Sequence, residues 1–106
     1  MTPAHFDELI HAPNRLQICG LAAATEYVEF AMLRDLLGIS DSALSKHLAV
    51  LENAGYVRLR KAMGDSRIRT WVSLTHLGRR AFDQHIAALQ AIAAGKPVLN
   101  TTHTSG

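Results

Sequence analysis

Three small polar or basic side chains, Ser42, Ser45 and Lys46, fall beside a leucine stripe at helical spacing, Leu44, Leu48 and Leu51. Hydroxyls donate or accept hydrogen bonds, and a lysine reaches a guanine edge or a phosphate, so this set suits the reading of base edges. Ala43 and Ala49 would let such a helix approach a partner closely. His47 sits roughly 60° from the stripe at about 100° per residue. It either reaches a phosphate or packs at the edge of the core, and both readings stay open at this stage. Farther along come Arg58, Arg60 and Lys61, then Arg67 and Arg69. Arg67 follows Gly64-Asp65, a hairpin-turn signal. An arginine at a hairpin tip fits a narrow minor groove, and the carboxylate of Asp65 is placed to hold its guanidinium fork. The other four basic residues would line phosphates.

Net charge, at +2, says little, but its distribution says more. Residues 1–45 carry two basic groups against six acidic ones, whereas residues 46–80 carry eight basic against two acidic. Such asymmetry is expected when one surface meets a polyanion such as double-stranded DNA. No Ser/His/Asp set, metal pair or Gly-rich phosphate loop is discernible, so no enzyme is expected. The single cysteine, Cys19, excludes a disulfide framework and any paired-thiolate metal site. None of the six histidines lies four residues from another, so no metal site and no cofactor are expected, although a His/acid site shared between subunits stays open. No apolar run approaches the roughly 18–20 residues of a membrane span. The N-terminus lacks the pattern of a signal peptide, and a cytoplasmic protein without a membrane partner is expected.

These side chains need elements to hold them. With 106 residues and 48% hydrophobic content the chain reads as one globular domain. Phe6, Leu9 and Ile10 suggest a first helical stripe, and Asn14 to Ala24 a nearly all-apolar helix. A short strand is expected within residues 26–29. Phe30, Leu33, Leu36 and Leu37 then recur at helical spacing. Gly38 suits the left-handed residue that ends a helix, and Ser40 suits an N-cap for a helix from Asp41 to about Ala54. Residues 56–62 and 68–74 alternate as two half-buried strands, with Trp71 sharing a face with Arg69 and Ser73. Thr75 can cap a last helix whose stripe is Gly78, Phe82, Ile86, Leu89 and Ala93. Residues 1–94 form the expected domain, and 95–106 read as a loose tail.

Helix, helix, short Gly-containing turn, helix, basic hairpin, helix is the order of a winged helix–turn–helix, mainly α with a small β-hairpin. Leu44-Ser45-Lys46-His47-Leu48 followed by Leu51-Glu52-Asn53-Ala54-Gly55-Tyr56-Val57 resembles the recognition helix and first wing strand of bacterial winged-helix regulators. Asp65-Ser66-Arg67, with Leu74-Thr75 and Gly78, resembles the wing and following helix of short MarR/ArsR-like regulators, over about residues 5–93. That resemblance implies a homodimer whose terminal helices pack together on a pseudo-palindromic operator, with repression as the expected activity. The alternative is a winged helix used as a protein-interaction module, since fold alone does not set function.

Overall fold

The computed structural model of the protein describes residues 3–101 and 103. In chain order its elements are β1 (His5–Asp7), α1 (Glu8–His11), α2 (Pro13–Ala24), β2 (Val28–Glu29), α3 (Phe30–Leu37), α4 (Asp41–Asn53), β3 (Val57–Gly64), β4 (Arg67–Leu74), α5 (His76–Ala93) and β5 (Leu99–Thr101). This is a winged helix, α+β, with a three-stranded antiparallel sheet in the order β2–β4–β3. No helix among the described residues is long and apolar enough to cross a membrane.

The core forms where the stripes meet. Leu44, Leu48 and Leu51 of α4 are buried with Ile18, Cys19 and Ala22 of α2, Leu33 of α3, and Val28, Val57 and Val72 of the sheet. Burial, with the nearby charge of Asp7, pushes the Cys19 thiol up to about 12, so it behaves as a small apolar core residue. Helix α3 ends at Gly38, whose φ of 65° is a conformation that a side chain disfavours. Two residues on, Ser40 Oγ accepts from the Ala43 amide at 3.1 Å and starts α4. These two local devices fix the bend between the helices.

Strands β3 and β4 pair over eight rungs, from Val57↔Leu74 to Gly64↔Arg67. The turn is Asp65-Ser66, with φ of 46° and 72°. Two left-handed residues in succession match the twist of a two-residue hairpin. Gly64, read from sequence as part of the turn, is the last paired rung instead.

Both chain ends depart from expectation. Phe6 lies in a strand, not in the first helix, which begins at Glu8. The loose tail expected over 95–106 is corrected in part: Leu99–Thr101 pairs in parallel with His5–Asp7, while residues 102 and 104–106 lie outside the described residues. Pairing through the backbone needs no apolar pattern, so composition gave no sign of it. Asp7 fastens the junction. Its Oδ1 accepts from the Leu9 and Ile10 amides at 3.0 and 3.2 Å, capping α1. The same oxygen lies 2.8 Å from His103 Nε2. Oδ2 accepts from the Tyr56 hydroxyl at 2.6 Å, and this carboxylate together with burial drives the Tyr56 phenol well above its ordinary range, burial being the larger cause.

Helix α5 turns Gly78 and Phe82 of its expected stripe inward, but leaves Ile86 and Leu89 half-buried and Ala93 exposed. Gly78, His85 and Ala88 are its buried residues, with Ala81 and Phe82 packed against the core. His85 is fully buried. The Asp7 amide donates to its Nδ1 at 2.9 Å. An amide can only donate, so the ring proton sits on Nε2 and points at His11 Nδ1, 3.1 Å away. A proton added at Nδ1 would face that N–H. The His85 pKa is accordingly held below its ordinary 6.5, by burial first and then by His11, with Asp7 opposing. Such a group binds fewer protons folded than unfolded. Its contribution to stability is complete above about 6.5 and is lost as pH falls from there through the lower folded-state pKa. Urea denaturation between about pH 7.5 and about pH 5 is expected to show stability falling toward acid, by up to roughly 1.4 kcal/mol per pH unit for each such histidine. A flat profile would contradict a neutral His85.

Candidate nucleic-acid interface

Burying the leucine face of α4 leaves Ser42, Ser45, Lys46 and Ala49 exposed on the opposite side. Ser42 Oγ lies 3.2 Å from Ser40 Oγ, which ties it to the capped first turn. Asp41, the acidic residue beside this surface, accepts from Arg34 NH1 at 3.1 Å. Arg34 also holds Asp35 at 3.0 Å. Both carboxylates raise the pKa of Arg34, the Asp35 hydrogen bond most. One arginine of α3 therefore offsets the negative charge at the head of α4, a role that spacing along the sequence did not reveal. Lys46 pairs with no carboxylate among the described residues.

His47 faces the other way. Arg15 NH1 donates to its Nδ1 at 3.2 Å, and its Nε2 lies 3.4 Å from the Asn14 side-chain amide. Arg15 in turn donates from Nε to the Leu9 carbonyl at 2.6 Å. Burial, then the Arg15 charge, lowers the His47 pKa. Of the two readings open from sequence, the structure places this side chain at the edge of the core, where it joins α4 to α2.

The hairpin divides its basic residues between two faces. Side chains alternate across a strand, so Arg58 and Arg60 share the outer face with their partners Ser73 and Trp71. Lys61 shares the inner face with Leu59 and Met63. That inner face is the one α4 packs on, since Ser45, Leu48 and Ala49 line one depression with Leu59 and Thr70. Arg58, Arg60, Lys61 and Arg67 are all exposed. They do not form one row: Lys61 lies on the α4 side, whereas Arg58, Arg60 and, on the final rung beside the turn, Arg67 lie on the outer face.

Arg69 is committed elsewhere. Its NH1 donates to Glu29 Oε2 at 3.3 Å and its NH2 to Asp65 Oδ2 at 3.4 Å. Its Nε is buried without a partner among the described residues. The clamp expected between Asp65 and Arg67 thus forms between Asp65, the first residue of the turn, and Arg69, two residues beyond Arg67 along β4. The consequence is a wing tip tied back to β2, with its only carboxylate neutralised and Arg67 left free. Glu29 has no sequence signal for this part, being forty positions from Arg69.

The likenesses to known proteins agree with this geometry. Residues 15–93 match the family described as winged helix DNA-binding domain. An uncharacterized protein of Methanocaldococcus jannaschii is 36% identical over 79 residues, covering 74% of this chain and 86% of its own. The structure of a transcriptional regulator homologue from Pyrococcus horikoshii superposes with a TM-score of 0.77 at 28% identity, over 82% of this chain and 86% of that one. The YusO protein of Bacillus subtilis superposes with a TM-score of 0.73 over 83% of this chain and 62% of its own, and at 19% identity it speaks for the fold alone. With the helix–turn–helix bend, the exposed polar face of α4 and the basic wing in place, the chain belongs to the winged helix DNA-binding domain family.

Proposed function

We propose that the protein is a sequence-specific transcriptional regulator of the repressor type, which binds a two-fold symmetric operator as a homodimer. The observation that carries this reading is the pairing of two free cationic devices on one framework. Ser42, Ser45 and Lys46 stand exposed on α4 with the neighbouring Asp41 neutralised, and Arg67 stands free at a wing tip whose carboxylate is also neutralised. In this reading α4 enters the major groove, and Arg67 enters the adjacent minor groove. Arg58, Arg60 and Lys61 supply phosphate contacts and long-range attraction. Arg69 and His47 serve by holding the wing and α4 in place.

The dimer reading rests on α5. Ile86 and Leu89 are only half-buried, and Ile92 is 49% exposed. One winged helix reads few base pairs, so a second copy packed on this strip would double the contact and set the operator symmetry. The likeness to the Pyrococcus horikoshii transcriptional regulator homologue supports a regulatory role, and a regulator of this kind would act in the cytoplasm.

The test is selection of bound duplexes from a randomised library at physiological salt, followed by titration of the recovered DNA. A two-fold symmetric motif is expected. Lys46→Ala and Arg67→Ala should each weaken binding by about 1–3 kcal/mol and flatten the slope of log affinity against log salt by about one. Sedimentation should show their dimers intact. Wild-type binding by both variants would overturn the placement of α4 and the wing. Failure to recover any motif would favour the protein-interaction reading.

A further inference from the structure

The two most exposed large hydrophobic side chains among the described residues are Met63, at 71%, and Ile68, at 64%. They are not scattered. Met63 and Ile68 are directly opposed partners across β3 and β4, one rung before the end of the wing. They lie on the inner face of the hairpin, the face that nearer its base buries Val57 and Val72. The apolar stripe of the sheet therefore continues past the edge of the core and ends in solvent, on the side where α4 packs.

The surroundings are cationic. Lys61 stands exposed two rungs nearer the base on the same face, with Thr70 opposite, and Arg67 stands exposed on the next rung toward the tip, on the other face of the hairpin. Asp65, the one carboxylate at the tip, is drawn back by Arg69. An apolar pair with one free cation on its own face and another beside it at the tip complements a surface with an apolar floor and anionic walls, as the minor groove offers between its phosphate rows. It fits a second copy of the same wing poorly, because a contact between these inner faces would bring Lys61 against its equivalent.

We propose that Met63 and Ile68 form an apolar wedge that enters the minor groove beside the α4 half-site, presses on one base step and bends the duplex. The proposal rests on the DNA-binding reading above and deepens it. Lys61 would hold a phosphate row on the wedge's own side, and Arg67 would sit in the groove beside the step that the wedge unstacks. Pyrimidine–purine steps deform most easily, so the wedge selects a TA or CA step under the wing with no hydrogen bond to a base. Sequence preference would then extend beyond the bases that α4 touches.

The test uses the full chain and a duplex of about 30 bp recovered by selection with the wild type and labelled at both ends for energy transfer. Wild-type protein should bend it by at least about 20°. Met63→Thr/Ile68→Thr keeps strand-compatible residues at surface positions and leaves every charge in place. It is expected to bind roughly tenfold more weakly, with an unchanged salt slope, a straightened duplex and no preference for TA or CA under the wing. Arg67→Ala, by contrast, should lower the salt slope. A double variant that binds and bends like wild type overturns the wedge, and so does a wild type that binds its selected duplex without bending it. Loss of self-association in the double variant would assign the patch to a second copy and also overturn the wedge. A wild type that binds no duplex at all removes the DNA-binding reading itself, which separates that failure from failure of the wedge alone.

Discussion

Gly78→Ala should lower stability by about 3 kcal/mol or more, and the melting temperature by roughly 12 °C or more. Gly78 is the third residue of α5. A Cβ there would lie 1.9 Å from the Tyr56 carbonyl oxygen and 2.7 Å from its carbon. The obstacle is backbone, so no rotamer change relieves it. Nor can the strand entrance retreat. The same Tyr56 carbonyl accepts from the Thr75 amide at 3.0 Å, and Thr75 Oγ donates to the Gly55 carbonyl at 2.6 Å. Thr75 Oγ also accepts from the Gly78 amide at 2.9 Å, capping the helix. The first turn of α5 is thus bolted to the residues that lead into the wing. Gly38→Ala is the informative contrast. It has open space around the added carbon but a φ of 65°, so only the left-handed backbone penalty of about 1 kcal/mol is expected. Thermal melts followed by circular dichroism compare the two. Equal losses would mean that α5 does not press on Tyr56 as described.

Asp7→Ala is expected to cost about 3 kcal/mol as well, for a different reason. The carboxylate is 2% exposed and serves four partners from three parts of the chain. Its loss removes the α1 cap, worth about 1 kcal/mol. It also strands the Tyr56 hydroxyl in the interior, at about 1–3 kcal/mol, and releases His103. Tyr56→Phe removes the hydroxyl together with its need for a partner, so it should cost clearly less. Denaturant titrations of both variants check the order. A Tyr56→Phe loss as large as that of Asp7→Ala would place the energy in the tyrosine instead of the carboxylate.

What could be read from the sequence was local. The leucine spacing of α4, the left-handed Gly38, the Ser40 cap and the alternation of β3 and β4 each involve residues within a few positions of one another, and each gave its element nearly to the residue. Exposure of Ser42, Ser45 and Lys46 followed from the leucine stripe alone. Pairings between distant residues were hidden. Nothing near Arg69 says that it will choose Glu29 and Asp65. Helix α5 misled for a physical reason. An apolar stripe drawn through Ile86 passes over His85, because a histidine counts as polar until both of its nitrogens are matched, here by an Asp7 amide and a second histidine.

The pairing of β1 with β5 turns a linear chain into something close to a ring. His5 stands opposite Leu99, so nearly the whole described chain lies inside a loop closed by a few parallel rungs. The entropy of closing a loop that long is repaid only once the rest is folded. These rungs should therefore form last and open first, as a separate unit of lower stability than the leucine core. Because β1 lies along α5, meeting it at Gln84 and His85, each opening also bares that flank of the helix. The fraying of the chain ends and the wetting of that flank are then one equilibrium, and the amides of both strands should exchange with solvent ahead of those of the leucine core.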